Sequence, residues 1–256
     1  YRNIISMGTY LYSDTKILAI NIDGYTYGND MKEMENIWGM HYFNTLPNNN
    51  LIRMVAKSDK KKLNILEIGC DCGATLLAIK NVFADAGIYG LELNDRAVDI
   101  AKCFANVKQG NIETDGIPFA NIEFDVIIFG DVLEHLRNPE EIIKICKNHL
   151  SKDGCIVSSI PNVQHISVLR PLIYGRFTYT ETGLLDKTHI HLFTGYEIQQ
   201  MFLRAGYNIE RMEVVQLPIN NEDQDAINKL KSVFPDINEN LMKVFQYVVC
   251  ARKSNK

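Results

Sequence analysis

A chain of 256 residues with 46% hydrophobic content is long enough to bury one full α/β core with an embellishment. Its formal net charge of −4 comes with no Lys/Arg stripe interleaved with aromatics, which argues against a nucleic-acid partner. No apolar run approaches the ~20 residues of a membrane span and the start shows no signal-peptide pattern, so a cytoplasmic protein is expected.

Residues 1–50 form a first segment dense in aromatics: Tyr1, Tyr10, Tyr12, Tyr25, Tyr27, Trp38, Tyr42 and Phe43, with His41 among them. A cap over a ligand site, or an interaction segment through which the chain forms a homodimer, is expected there. Residues 51–256 form the main domain. Ile65-Leu66-Glu67-Ile68 reads as a buried strand that runs into the turn Gly69-Cys70-Asp71-Cys72-Gly73, with a helix at residues 74–80. A second apolar strand, residues 88–91, ends at Glu92. Glycines let a backbone turn tightly and approach a ligand, and an acid at the next strand end accepts hydrogen bonds from a ribose diol. The spacing is not that of the dinucleotide fingerprint: Leu76 and Leu77 stand where its third glycine would be, which disfavours NAD(P).

Further along, the pattern predicts a helix over residues 95–104, a short strand near Val107, a loop at 110–113 and a buried strand at 123–129. A helix over 139–150 has Asn138 as its cap and Pro139 at its first position. A strand at 154–160 stops at Pro161, and a helix over 194–205 starts at Thr194 and ends before Gly206. Strands at 208–216 and 244–253, joined through a helical segment, complete an α/β fold with a largely parallel, doubly covered sheet. Residues 162–193 follow a strand end, the edge of such sheets at which ligands bind, and they hold His165, Arg170, Tyr174, Arg176, Tyr179, Asp186, His189 and His191. The six cysteines lie mostly in apolar strand or helix patterns. The close pair Cys70 and Cys72 lacks a second pair to complete a zinc site, so reduced thiols are expected.

The run Glu67-x-Gly69-x-Asp71-x-Gly73 resembles motif I (E/D-x-G-x-G-x-G) of the class I S-adenosylmethionine (SAM) methyltransferases, with Asp71 in place of the middle glycine. Asp tolerates left-handed backbone angles better than most residues. Asp131-Val132-Leu133-Glu134-His135-Leu136-Arg137-Asn138-Pro139 resembles the signature D-V-L-E-H-x-x-D/N-P of one large group of them. Residues 159–165, 175–180 and 183–189 are similar to bacterial members met in surface-polysaccharide pathways. The similarity covers about residues 63–215. It implies a Rossmann-like, mainly parallel seven-stranded sheet with an antiparallel C-terminal strand, and S-adenosyl-L-methionine as cofactor. By it, Glu67, Gly69, Cys70, Asp71 and Gly73 contact the methionine part. Glu92 holds the ribose, Leu93 flanks the adenine, and Asn111 and Ile112 meet the adenine. Phe129, Gly130 and Asp131 lie beside the methionine end.

The resemblance implies a methyltransferase that O-methylates a small or sugar-like acceptor, such as a surface-glycan precursor. An alcohol acceptor must lose its proton, and histidine is a natural base near neutral pH. His165 and His189 are the base candidates, with Asp186 as an orienting carboxylate; His191, Tyr179 and His41 are the reserves. His149, at a helix end, reads as structural. If their segment is helical, Asp131, Glu134 and His135 share one face. With a later histidine this resembles the E-x-x-E-H metal cluster of some methyltransferases acting on RNA ends or quinone precursors. The first Glu is Asp131 here, and D-V-L-E-H is abundant where no metal is known, so no metal is assigned. The alternatives are therefore a metal-assisted O-methyltransferase on a hydroxylated ring or RNA end, and a SAM-binding partner subunit without catalysis.

Overall fold

A computed structural model describes residues 46–57 and 62–254. The aromatic-rich stretch up to residue 45, His41 included, lies outside the described residues, and with it the expected cap or homodimer contact. Seven strands form one sheet in the order β3-β2-β1-β4-β5-β7-β6. They are β1 (Asn64–Ile68), β2 (Gly87–Glu92), β3 (Asn106–Gln109), β4 (Phe124–Gly130), β5 (Leu150–Pro161), β6 (Tyr207–Gln216) and β7 (Val244–Lys253). The first five pair in parallel, and β7 runs antiparallel to both β5 and β6. The parallel part is what the alternation of apolar runs predicts, and the Rossmann-like seven-stranded sheet with an antiparallel C-terminal strand is what the resemblance implies.

Among the described residues eight α-helices accompany the strands: α1 (Asn49–Val55), α2 (Ala74–Val82), α3 (Asp95–Ala101), α4 (Ile112–Asp115), α5 (Pro139–Cys146), α6 (Ile166–Ile173), α7 (Gly195–Arg204) and α8 (Asn221–Val233). Successive strand residues point to opposite faces, so each central strand feeds two cores. Leu66, Ile68, Ile127 and Phe129 pack with Ile142 and Ile143 of α5 and with Ile198 and Phe202 of α7. Ile65, Val126 and Ile128 pack on the other face with Leu51 and Val55 of α1 and Ile79 of α2. Burial of each such side chain contributes about 1.5–3 kcal/mol, which is why the strands read as unbroken apolar runs.

Several boundaries differ from the sequence expectations for local reasons. Helix α3 stops at Ala101 because tighter turn bonds, such as Phe104 N–H to the Ala101 carbonyl (3.2 Å), take over and swing Phe104 onto Gly73. Helix α5 stops at Cys146, and β5 starts early, at Leu150, opposite Phe124. The register then shifts at Gly154, where a Cβ would lie 2.8 Å from the Phe124 carbonyl oxygen, so only glycine fits the close approach. The expected loop at 110–113 contains the one-turn α4, started by the Asn111 side chain, which accepts from Glu113 N–H. Helix α1 crosses the boundary expected at residue 50, with the Asn48 side chain accepting from the Asn50 and Leu51 amides as its cap.

Candidate active site

At the end of β1 the chain makes its glycine turn with Gly69 (φ 67°), Asp71 (φ 47°) and Gly73 (φ 78°) all left-handed. Asp71 thus adopts the conformation that the missing middle glycine would have taken. Every amide of this turn is committed within the protein. Gly69 and Cys70 donate to the Leu91 carbonyl (2.8 and 3.4 Å) and Gly73 donates to the Cys70 carbonyl (2.8 Å). Asp71 N–H donates to Glu92 Oε2 (2.9 Å), and Cys72 N–H to its neighbour's carboxylate, Asp71 Oδ1 (2.7 Å). A turn without free amides is not a phosphate cradle, which separates it physically from pyrophosphate-binding glycine loops.

What the turn offers instead is negative charge. Glu92 is locked by Asp71 N–H on Oε2 and by Asn94 N–H on Oε1 (both 2.9 Å), and each oxygen keeps a lone pair for a ligand hydroxyl. Glu67 is only 5% exposed, and its Oε2 has no hydrogen-bond partner among the described residues. Burial, then the charges of Asp71 and Glu92, push its carboxyl up to about 8, while a Thr75 hydroxyl bond partly offsets them. Three crowded carboxyl groups with an unsatisfied buried oxygen fit a cationic ligand, and the ammonium and sulfonium of SAM supply that charge.

The other expected cofactor residues are placed in different ways. Cys70 Sγ packs where a Gly90 Cβ would be, 2.5 Å away, so only its backbone serves the turn. Leu93 is 64% exposed at the end of β2, whereas Ile112 is buried. Asn111 Oδ1 is engaged as the α4 cap, which leaves one lone pair for an adenine amine. Phe129 belongs to the core, and a Cβ on Gly130 would lie 3.0 Å from Leu51 and 3.8 Å from Glu67 Oε1.

After β4, Asp131 takes a left-handed angle (φ 54°), and a short 3-10 turn, Leu133–His135, follows. This corrects the expectation of one helical face carrying Asp131, Glu134 and His135. Asp131 turns instead toward β5 and β7: its amide donates to Ser159 Oγ (3.1 Å), its Oδ2 accepts from that hydroxyl (3.2 Å), and its Oδ1 accepts from Gln246 Nε2. Burial raises its carboxyl to about 6, against the opposing bonds from Ser159 and Gln246.

Glu134 and His135 meet His189 instead. The Glu134 carbonyl accepts from the Ile190 and His191 amides (2.9 and 3.0 Å), which ties the 3-10 turn to the acceptor-side segment. His189 Nε2 lies 3.9 Å from Glu134 Oε1, and the two imidazoles meet edge-on with centroids 4.8 Å apart. Burial, and then His189, lower the pKa of His135 below the ordinary histidine value. Burial, and then Asp131, raise Glu134 well above the usual carboxylate range. Asp186 stands beside both imidazoles, and its backbone carbonyl accepts from the His189 amide (3.0 Å). Its Oδ1 accepts from the Thr188 hydroxyl (2.6 Å), whose oxygen lies 3.1 Å from His135 Nδ1.

His165 is not brought into this group. It caps α6, with Nδ1 accepting from the Ser167 amide (3.2 Å) and its ring edge-on to Phe245. His191 stacks on Phe193 and has Nε2 3.3 Å from the Arg137 carbonyl, while Tyr179 is exposed beside Phe177. Thr188, Ser159 and Gln246 were not picked out in the sequence. The first two lie inside the motif stretches, and nothing local marks Gln246. A separate, largely apolar cavity of about 730 Å³ lies between α6, α7 and β6, lined by Leu169, Leu172, Met212, Val214 and Tyr247 among others. None of the Glu134, His135 and His189 group lines it.

Comparison with known proteins agrees with this geometry. The family described as "Methyltransferase domain" matches residues 40–211. A malonyl-[acyl-carrier protein] O-methyltransferase of Bacillus anthracis is 29% identical over 104 residues, 40% of this chain and 39% of the relative. A ubiquinone biosynthesis O-methyltransferase of Acinetobacter baylyi is 26% identical over 120 residues, 44% and 50% of the two chains. The chain therefore spans between two fifths and a half of the length of these curated relatives. A SAM-dependent methyltransferase from Archaeoglobus fulgidus superposes with a TM-score of 0.54 at 18% identity, covering 79% of this chain and 91% of the other, which shows the common fold. The family match supports S-adenosyl-L-methionine as the cofactor.

Proposed function

The chain belongs to the methyltransferase-domain family, and on that premise we propose that it transfers a methyl group from SAM to an oxygen of a small acceptor. The observation that carries the reading is the turn at Gly69–Gly73, with its amides spent internally and three carboxyl groups, Glu67, Asp71 and Glu92, crowded around it. Such a site repels a pyrophosphate and attracts a cation. The names of the two curated relatives, both O-methyltransferases, favour oxygen as the atom methylated.

Bound SAM supplies a methyl group on a sulfonium, whose departure as a neutral thioether makes transfer to oxygen favourable. Glu92 accepts hydrogen bonds from the ribose hydroxyls. Glu67 and Asp71 would hold the positive methionine end, and Leu93 and Ile112 would flank the adenine. On the acceptor side, in the ion-free site, the hydroxyl proton would pass to the Nε2 lone pair of His189 or His135 as the new O–CH₃ bond replaced the S–CH₃ bond. Asp186, through Thr188, keeps His135 oriented. A sugar-like acceptor, as in surface-glycan precursors, is the finer form of this proposal. It rests on the resemblance of residues 159–165 and 175–189 to bacterial members of such pathways.

Incubating the protein with SAM and panels of sugar, catechol, carboxylic, amine and thiol acceptors, while following S-adenosylhomocysteine release, tests it. Turnover on any hydroxylated panel supports O-methylation, and turnover confined to amines or thiols overturns it. Cofactor binding with no turnover on cell-extract metabolites would instead favour a non-catalytic SAM-binding subunit.

A further inference from the structure

We propose that Glu134, His135 and His189 form a binding site for one divalent transition-metal ion, held by two imidazole nitrogens and one carboxylate. Their ligand atoms all lie within 4.8 Å of one another. Glu134 is 0% exposed, and among the described residues neither of its oxygens has a hydrogen-bond partner. A buried carboxylate left that way is strongly unfavourable, and a cation placed between it and the imidazoles removes the penalty.

The histidines are prepared for the same role. His189 Nδ1 lies 3.2 Å from the Leu184 carbonyl oxygen, and His135 Nδ1 lies 3.1 Å from the Thr188 carbonyl oxygen. A carbonyl only accepts, so each Nδ1 carries the proton and each Nε2 keeps its lone pair. Metal-bound histidines are oriented by this same kind of outer bond. The His189 side chain is only 7% exposed, and the Ile190 and His191 amides bind the Glu134 carbonyl, so the two segments are held together without the ion.

Ligand atoms about 2.1 Å from one ion sit about 3–3.5 Å apart, so side-chain rotations of about an ångström close the set. Two imidazoles and one carboxylate suit Zn²⁺, Co²⁺, Mn²⁺ or Fe²⁺ and leave positions open, whereas Ca²⁺ prefers an all-oxygen shell. Asp131, which the sequence spacing groups with Glu134 and His135, is not a ligand here, because Ser159 and Gln246 hold its carboxylate. An acceptor hydroxyl at an open position would become a stronger acid and release its proton to solvent. That consequence rests on the methyl-transfer reading; the binding site does not.

Chelator-treated full chain, titrated with Co²⁺ under visible spectroscopy and with Zn²⁺ and Mn²⁺ by calorimetry, tests the site. One ion per chain with a micromolar or tighter dissociation constant is expected. His189→Ala and Glu134→Gln should weaken it ~100-fold or more, at or beyond the top of the range for changes to outer-shell partners. Asp131→Asn should leave it within a few-fold. If Glu134→Gln fails to fold by circular dichroism, His135→Ala and His189→Ala, on separate segments, carry the test. No saturable binding, binding indifferent to both histidines, or binding lost with Asp131→Asn would overturn the proposed ligand set. S-adenosylhomocysteine calorimetry on the same samples separates the two readings. Cofactor binding without ion binding overturns the metal site alone, and ion binding without cofactor binding overturns the methyltransferase reading and leaves the site standing.

Discussion

The amide of Asp71 donates to Glu92 Oε2 across 2.9 Å, joining the turn after β1 to the end of β2 through a single hydrogen bond. Because Asn94 N–H fixes the other oxygen, the carboxylate cannot rotate freely, and its remaining lone pairs are aimed before any ligand arrives. Glu92→Ala removes both this preorganisation and the charge-assisted bonds to the ribose. Cofactor affinity should fall by about 1.5–3 kcal/mol, which is ~10- to 150-fold. Calorimetry that finds SAM and S-adenosylhomocysteine bound as tightly as by wild type removes Glu92 from the site.

A second prediction concerns Gly69. Its φ of 67° is strained for any residue with a Cβ, and that Cβ would lie 2.7 Å from Val132 Cγ2. Gly69→Ala should therefore cost about 1–2 kcal/mol from backbone conformation alone, with further loss from the contact. Adding Val132→Ala should recover the contact part only. Thermal unfolding of the single and double variants distinguishes the two contributions; full recovery in the double variant would show that the backbone angle carries no strain.

The third prediction is a pH dependence. Glu67 titrates near 4.5 when unfolded and is pushed up to about 8 in the folded cofactor-free protein. The native state therefore keeps a proton that the unfolded chain releases, so stability falls as pH rises between those two values. A shift of that size corresponds to ~5 kcal/mol across the window. Glu134 and Asp131, also raised, tilt the curve in the same direction, so the difference between wild type and Glu67→Gln isolates Glu67. Denaturant midpoints from pH 5 to pH 8 should fall more steeply for wild type. Parallel curves would show that Glu67 ionises normally.

The sheet and the glycine turn after β1 were legible because their causes are local. Parallel strands buried on both faces must be apolar along their length, as Ile65–Ile68 and Val126–Phe129 are, and a left-handed turn needs Gly69, Gly73 and a tolerant Asp71. Caps at Asn138 and Thr194 were readable for the same reason. The acceptor side was less legible because its geometry depends on contacts distant in sequence. Asp131 is drawn away from Glu134 by Gln246, 115 residues later, and His135 meets Thr188, 53 residues later. His165 carried the right chemistry in the right stretch, but the start of α6 uses its ring as a cap, a role for which histidine gives no sequence signal.

The last prediction separates the two histidines that the sequence proposed as bases. His189 directs Nε2 toward Glu134 and stands against His135, whereas His165 is committed to Ser167 and Phe245. His189→Ala should lower kcat by about 10²- to 10⁴-fold, the range for losing a general base, whether the imidazole takes the proton itself or helps to hold an ion that acidifies the acceptor. Cofactor affinity should change little, since the glycine turn and Glu92 are built from other segments. His165→Ala should act on stability instead, by about 0.5–2 kcal/mol for a lost helix cap, with kcat within a few-fold of wild type. The wild-type rate should also rise with pH through an ionisation below the ordinary histidine value, because burial and His189 hold His135 there. Single-turnover methylation by both variants, with S-adenosylhomocysteine binding measured alongside, checks each part. A large loss of kcat in His165→Ala with His189→Ala unaffected would move the base to the start of α6 and reverse the assignment.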